Sequence, residues 1–233
     1  FTNKAAAEMR DRARQLVGKE AQKILICTFH ALGVRMLRLH GHLLGLKTQF
    51  SILDTADVQS ILKDAGGTTD SAVARQWQWT ISLWKNQGLN ADSALAQARD
   101  DNERVIAKIM ARYEERLSAY QSVDFDDLIG LPLKLLQQHP EVRAHWQQQL
   151  GHVLVDEYQD TNYVQEQLVL KLASSTGNIC VVGDEDHLMR IDHAAIAKRM
   201  QFAIGGFHES VVDDDEFRYR IHHLTGRHLG APA

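Results

Sequence analysis

Asp156 and Glu157 stand side by side at the end of an apolar run, Val153, Leu154 and Val155, and Asp160 follows within the same turn of sequence. A carboxylate set against a buried β-branched run needs a partner, a metal or a shifted pKa. At the end of a strand an aspartate can hold a divalent cation, while a neighbouring glutamate can orient or deprotonate an attacking water. A solvated acidic turn would carry the same two residues, so the pair acquires meaning only from what accompanies it.

Two further runs share its plan. "KILICTFH" (Lys23 to His30) and "NICVVGDED" (Asn178 to Asp186), like "HVLVDEYQD" (His152 to Asp160), are rich in Ile, Val or Leu without alternation and end in polar residues. That pattern predicts strands buried on both faces of a parallel sheet. Ligands of such sheets sit outside the carboxyl ends of the strands, so the three polar clusters are expected to face one crevice. Between the first two runs the periodicity turns helical. Asp54 caps a segment with Val58, Ile61 and Leu62 on one face and Gly66-Gly67 as its stop. A second segment carries Val73, Trp77, Ile81 and Trp84 up to Gly88, and a third carries Val105, Ile109, Tyr113 and Leu117. Residues 31–138 thus read as a helical subdomain inserted into an α/β domain.

Bulk properties narrow the class without deciding it. The 233 residues are 44% hydrophobic, enough for a core, and the net charge of −4 with a pI near 6.3 leaves any nucleic-acid contact to local patches. Cys27 and Cys180 lie in apolar runs with no Cys-x-x-Cys spacing, which predicts buried free thiols in a reducing, cytoplasmic setting. No run approaches the ~18 apolar residues of a membrane span. The chain opens on Phe1-Thr2-Asn3-Lys4 without a methionine, as expected of a segment cut from a longer protein.

Taken together, the motifs carry a resemblance. Asp156-Glu157-x-Gln159-Asp160 after Val-Leu-Val resembles motif II of superfamily 1 DNA helicases of the UvrD/Rep type. Phe1-Thr2-Asn3-Lys4-Ala5-Ala6-x-Glu8-Met9 resembles motif Ia, Thr28-Phe29-His30 motif Ib, Asp124-Phe125-Asp126-Asp127-Leu128 the acidic-aromatic motif before the second strand, and Val181-Val182-Gly183-Asp184-x-Asp186 the opening of motif III. "SLWKN", Ser82 to Asn86, is similar to the Rep branch. The resemblance implies a partial RecA-like parallel sheet of the P-loop NTPase type with an all-helical insert. Residues 1–30 and 139–186 would be pieces of domain 1A, 31–138 subdomain 1B, and 187–233 a divergent or misread tail.

It also implies roles. Asp156 would hold Mg²⁺, Glu157 would be the catalytic base for ATP hydrolysis, and Gln159 and Asp160 would link nucleotide to DNA, with Gly183, Asp184 and His187 in the coupling segment. Thr2, Asn3 and Lys4 begin a helix whose free N–H groups suit a DNA phosphate. Phe1 either stacks near a base or packs in a core. Thr28, Phe29 and His30 would touch single-stranded DNA. Asp124, Asp126 and Asp127 would repel phosphate, so they are expected to cap a helix or hold basic side chains while Phe125 packs or stacks. Trp77, Trp79 and Trp84 read as core and surface of the insert rather than a DNA platform. Arg10, Arg12, Arg14, Lys19 and Lys23 read equally as a local basic face, diluted by Glu8, Asp11 and Glu20, or as a solvated helix face.

The resemblance breaks in two places. The phosphate-binding pattern G-x-x-x-x-G-K-[ST] does not occur in the sequence; Gly18-Lys19 is followed by Glu20 and reads as a helix end. After Asp186 the motif III residues Gln-Ser-Ile-Tyr and a following aromatic are replaced: His187 stands for the phosphate-sensing glutamine and Asp192 for the stacking aromatic. "EFRYR", Glu216 to Arg220, echoes motif IV, which would put Arg220 on the terminal phosphate. Six of the twelve histidines, His187, His193, His208, His222, His223 and His228, fall in this tail without the spacing of a firm metal site.

The expectation is therefore part of a 3′ to 5′ ATP-dependent DNA helicase, using ATP and Mg²⁺ on single-stranded DNA and duplex junctions, with no membrane partner. The segment alone is expected not to hydrolyse ATP. A non-enzymatic single-strand-binding or decoy module is the rival, and the motor part of a helicase-nuclease is a third reading.

Overall fold

The computed structural model describes residues 2–173 and 179–183, which fall into two units, 1–135 and 136–233. In the first unit α1 (Asn3–Val17) and α2 (Phe29–His40) precede a short strand β1 (Ser51–Ile52). Then come α3 (Thr55–Gly66), α4 (Ser71–Asn86), α5 (Ala91–Gln97), α6 (Asp101–Ala119), β2 (Ser122–Val123) and α7 (Asp127–Gln138), which runs on into the second unit. The second unit holds α8 (Pro140–Gln149), β3 (Val153–Val155), α9 (Tyr163–Ala173) and β4 (Ile179–Val181). The described chain is thus helix-rich with two small parallel sheets, β1 with β2 and β3 with β4.

The helices begin and end where their residues dictate. Asp54 caps α3 in a reciprocal box with Asp57, Asp70 caps α4 and Asp100 caps α6, each side chain accepting a backbone N–H that the first turn leaves without a partner. The core of α3, α4, α5 and α6 contains Leu62, Ile81, Trp84, Ile106, Met110, Tyr113 and Leu117. Burying each large apolar side chain contributes roughly 1.5–3 kcal/mol. Val105 departs from expectation: it is 51% exposed, and Ile106 and Met110 take the inner face with Ile109, Tyr113 and Leu117. A four-residue step advances about 40° beyond a full turn, so the stripe from Val105 to Leu117 winds off the core at its start. Trp84 is buried and Trp79 is 69% exposed, as the core-and-surface reading requires.

Three strand expectations need correction. Ile24 to Thr28 is not a strand. Ile24 and Thr28 have extended backbone, but Ile24 is 51% exposed, and among the described residues no strand pairs with the segment; extended backbone becomes sheet only when a neighbour completes the ladder. The second run forms β3, yet Leu154 is 73% exposed, so among the described residues β3 is not covered on both faces. The third forms β4 over Ile179–Val181 only. Conversely β1 and β2, paired Ser51 with Ser122 and Ile52 with Val123, are two residues each and too short to show any period in sequence. Cys27 and Cys180 are free thiols, half-buried rather than buried.

One close approach fixes α2 against α7. Pro132 carries no N–H to offer the Leu128 carbonyl one turn back, and that carbonyl lies against Gly33: a Cβ on Gly33 would stand 1.7 Å from the Leu128 oxygen. Leu37 and Leu128 pack beside this contact with Val34 and Leu131. The backbone cannot yield as a side chain would, so Gly33→Ala is expected to lose about 1–3 kcal/mol. Gly130→Ala, in α7 with nothing within 4 Å of its added Cβ, is expected to gain about 0.4–1 kcal/mol. Urea denaturation of the two variants beside the wild type reads both signs.

Candidate functional site

The first unit brings together several residues singled out in the sequence. Thr2 caps α1, its Oγ1 accepting from Ala5 N–H at 3.2 Å, and Thr28 caps α2 by accepting from Ala31 N–H at 3.2 Å. The Thr28 hydroxyl also donates to Asn3 Oδ1 at 3.3 Å, so the N-termini of α1 and α2 adjoin. Thr2, Asn3 and Lys4 are exposed, while Thr28, Phe29 and His30 are half-buried. Two adjoining N-termini with a lysine at one of them give a local positive potential in a chain of negative net charge. Arg10 donates to the Ile26 carbonyl at 2.8 Å and thereby holds the segment leading into α2. Surface pairs Arg14 with Asp11 and Lys23 with Glu20 offset part of the basic face. Gly18 ends α1 at φ 60°, the helix stop expected of it.

His30 lies beside Phe125, ring centroids 5.4 Å apart and tilted by 55°. Phe125 is 58% exposed although both its neighbours are held inward. Burial lowers the His30 pKa against the opposing pull of Asp126, which favours a neutral ring. The flanking aspartates do what their charge suggested. Asp124 Oδ1 accepts from Asp127 N–H at 2.8 Å and Asp127 Oδ2 accepts from Asp124 N–H at 3.1 Å, closing the start of α7. Both carboxylates also take Lys85, at 2.7 and 2.6 Å.

Burial works against the Lys85 charge, but Asp127 and Asp124 outweigh it and hold the ammonium above the ordinary lysine range. Burial likewise raises the Asp124 carboxyl, and Lys85 overrides it to leave the group below its usual value. At Asp127 burial prevails over Lys85, with the Asp124 charge adding to it, and the pKa rises. Two carboxylates on one ammonium make that split natural. Tyr113 donates its hydroxyl to Asp124 Oδ2 at 2.8 Å, and its pKa is pushed up by burial and by Asp124. Sequence reasoning missed Lys85 and Tyr113. The signal was a lysine four residues after the buried Ile81, on the inner side of α4, where a cation demands nearby acids.

In the second unit, β3 pairs with β4 in register Val153 with Ile179 to Val155 with Val181. Val182 N–H then donates to the Val155 carbonyl at 2.8 Å and Tyr158 N–H to the Val182 carbonyl at 2.9 Å. Asp156 and Glu157 are the two residues forced out between those bonds, and Glu157 adopts a left-handed backbone, φ 51° and ψ 43°. Asp156 and Asp160 are exposed and Glu157 half-buried. Asp156 Oδ1 accepts from Glu157 N–H at 3.0 Å, and Gln159 Nε2 donates to Glu157 Oε2 at 2.5 Å. Gly183 permits this arrangement, since a Cβ there would stand 2.3 Å from Gln159 Oε1. The residues after β3 and the Val182-Gly183 segment after β4 thus meet at one sheet end. Among the described residues no three His, Cys, Asp or Glu side chains gather as a metal site. Phe1, Asp184, His187, Asp192, Arg220 and the tail histidines lie outside the described residues.

Comparison with known proteins supplies the family. Residues 1–188 match the UvrD/REP helicase N-terminal domain, and the chain belongs to that family. It is 42% identical over 190 residues to the ATP-dependent DNA helicase Rep of Escherichia coli (strain K12), covering 80% of this chain and 28% of that protein. To the ATP-dependent DNA helicase PcrA of Staphylococcus aureus (strain Mu50 / ATCC 700699) it is 40% identical over 190 residues, covering 80% of this chain and 26% of the relative. The chain therefore spans little more than a quarter of the length of these relatives.

The His30 environment yields a measurable sign. A base whose folded pKa lies below its unfolded value stabilises the fold above the unfolded value, near 6.5, and loses that contribution as pH falls through the folded one. His30 is expected to titrate below 6.5 by NMR. His30→Gln is expected to flatten the part of the acid destabilisation that begins below about pH 6.5.

Proposed function

We propose that this chain is the N-terminal motor portion of a 3′ to 5′ ATP-dependent DNA helicase that translocates on single-stranded DNA and opens duplex junctions. In this reading residues 1–30 and 139–186 are pieces of RecA-like domain 1A, and 31–138 form the inserted helical subdomain 1B. The observation that carries it is the ejection of Asp156 and Glu157 from the β3–β4 ladder, in a chain of the UvrD/REP family.

The chemistry follows from those positions. Asp156 offers an exposed carboxylate at the sheet end, a hard oxygen donor of the kind Mg²⁺ takes together with substrate phosphates, where the ion would offset the charge of the triphosphate. Glu157 is the base that orients and deprotonates the attacking water. Gln159, bonded to Glu157 and lying over Gly183, relays the state of the nucleotide toward the segment of Asp184 and His187, and Asp160 continues that path. On the other unit, the helix N-termini at Asn3 and Thr28 hold a DNA phosphate with Lys4. Phe29, His30 and Phe125 face the bases, where stacking serves any sequence. Phe1 and Arg220 keep the roles their motifs imply, a stacking ring and a contact to the terminal phosphate. Among the described residues no helix is long and apolar enough to cross a membrane.

The sequence holds no G-x-x-x-x-G-K-[ST] loop, and without its backbone cradle and lysine a triphosphate loses most of its binding energy. The chain by itself is therefore expected to bind single-stranded DNA in a salt-sensitive, ATP-independent way and to show no DNA-stimulated ATPase. Phosphate release measured with and without oligothymidylate tests this. Robust turnover abolished by Glu157→Gln would overturn the inactivity while supporting Glu157 as the base; absence of DNA binding at low salt would sink the proposed DNA surface.

A further inference from the structure

Phe125 is the exposed member of a loop whose other side chains are anchored from beneath. Asp124 and Asp127 close on Lys85 of α4, whose side chain is 10% exposed, while the carboxylates are 9% and 13% exposed. Tyr113 of α6 donates to Asp124, and the Lys85 ammonium stands 5.7 Å from the centre of the Tyr113 ring. Asn86, the residue after Lys85, donates to Asp126 Oδ1 at 3.0 Å. Three acids flanking an outward-facing aromatic would otherwise repel one another and any phosphate nearby. One ammonium below them pairs with Asp124 and Asp127, pulls the loop inward and offsets part of the charge, and the phenyl ring is left exposed beside His30.

We propose that Lys85 is a positioning residue that sets the Asp124–Asp127 loop, and through it Phe125, for stacking on single-stranded DNA. The proposal rests on the reading of Phe125 as a DNA contact. Lys85 itself does not touch DNA: its ammonium is enclosed by α4, α6 and the start of α7. Its contribution reaches the nucleic acid by fixing where the ring stands relative to His30. The helical layer of α4 and α6 thereby registers the DNA-facing loop.

A double-mutant cycle on the full chain tests this, with anisotropy of a labelled oligothymidylate as one readout and the His30 ring-proton shift as the other. Phe125→Ala and Lys85→Met are each expected to weaken binding about tenfold, the scale of one base stacked on an aromatic ring. The double variant is expected to bind no more weakly than Phe125→Ala, because the lysine acts only through the ring. Lys85→Met is also expected to shift the His30 signal as the Phe125 ring moves. Unchanged binding in Lys85→Met, an unmoved His30 signal, or losses that multiply in the double variant would overturn the proposal. If circular dichroism shows Lys85→Met unfolded, Lys85→Gln with Asp127→Asn, which removes one charge of each sign, enters the same cycle with the same expectations. Wild-type affinity in Phe125→Ala would instead overturn the DNA role of Phe125 and this proposal with it, an outcome that the single variant reports by itself.

Discussion

A single buried ammonium organises the first unit. Lys85 reaches from α4 to two carboxylates at the head of α7, and Tyr113 of α6 completes the set. Removing one partner from such a group leaves an uncompensated buried charge, which typically costs about 3–5 kcal/mol, whereas the intact pair adds little net stability over an apolar replacement. Its effect is therefore more on geometry than on stability. Lysine, acids and phenol fit together in one arrangement of α4, α6 and α7, and that arrangement presents Phe125.

A second constraint acts on α7. The Leu128 carbonyl, to which Pro132 can offer no N–H, is met by the bare Cα of Gly33, so α2 seats at a distance that a Cβ would not allow. The first turn of α2 contains Phe29 and His30, and the residues just before α7 contain Phe125. The Gly33 contact and the Lys85 cluster thus each fix one of the two aromatic partners, one through backbone proximity and the other through charge.

Much of this was legible in the sequence, for identifiable reasons. Helices α3, α4 and α6 announced themselves through apolar spacing, and α3 also through Asp54 as its cap, because local hydrogen bonds and one buried face suffice to define them; Asp70 and Asp100 emerge as caps only in the structure. The acids of the Asp124–Asp127 loop were read as anchors for basic side chains, but which lysine they hold depends on how helices pack, and Lys85 lies 39 residues away. The strand expected in the run Lys23 to His30 failed because pairing is a property of two segments, and sequence reports one at a time. The adjacency of Asn3 and Thr28, and of Gly183 and Gln159, was equally hidden, since each joins chain segments remote in sequence.

Glu157 holds its carboxylate on a backbone that an L-residue adopts reluctantly, at a strain of order 1–3 kcal/mol. Asp156, Gln159 and Asp160 bond Glu157 locally, but the bonds that bracket the Asp156-Glu157 pair, at Val155 and Tyr158, come from Val182 beyond the far strand. The acid's aim is thus borrowed from tertiary structure. A peptide of this stretch would keep every functional group and lose the two bonds to Val182, and any motion that loosens β4 would release the backbone on both sides of Asp156 and Glu157 together.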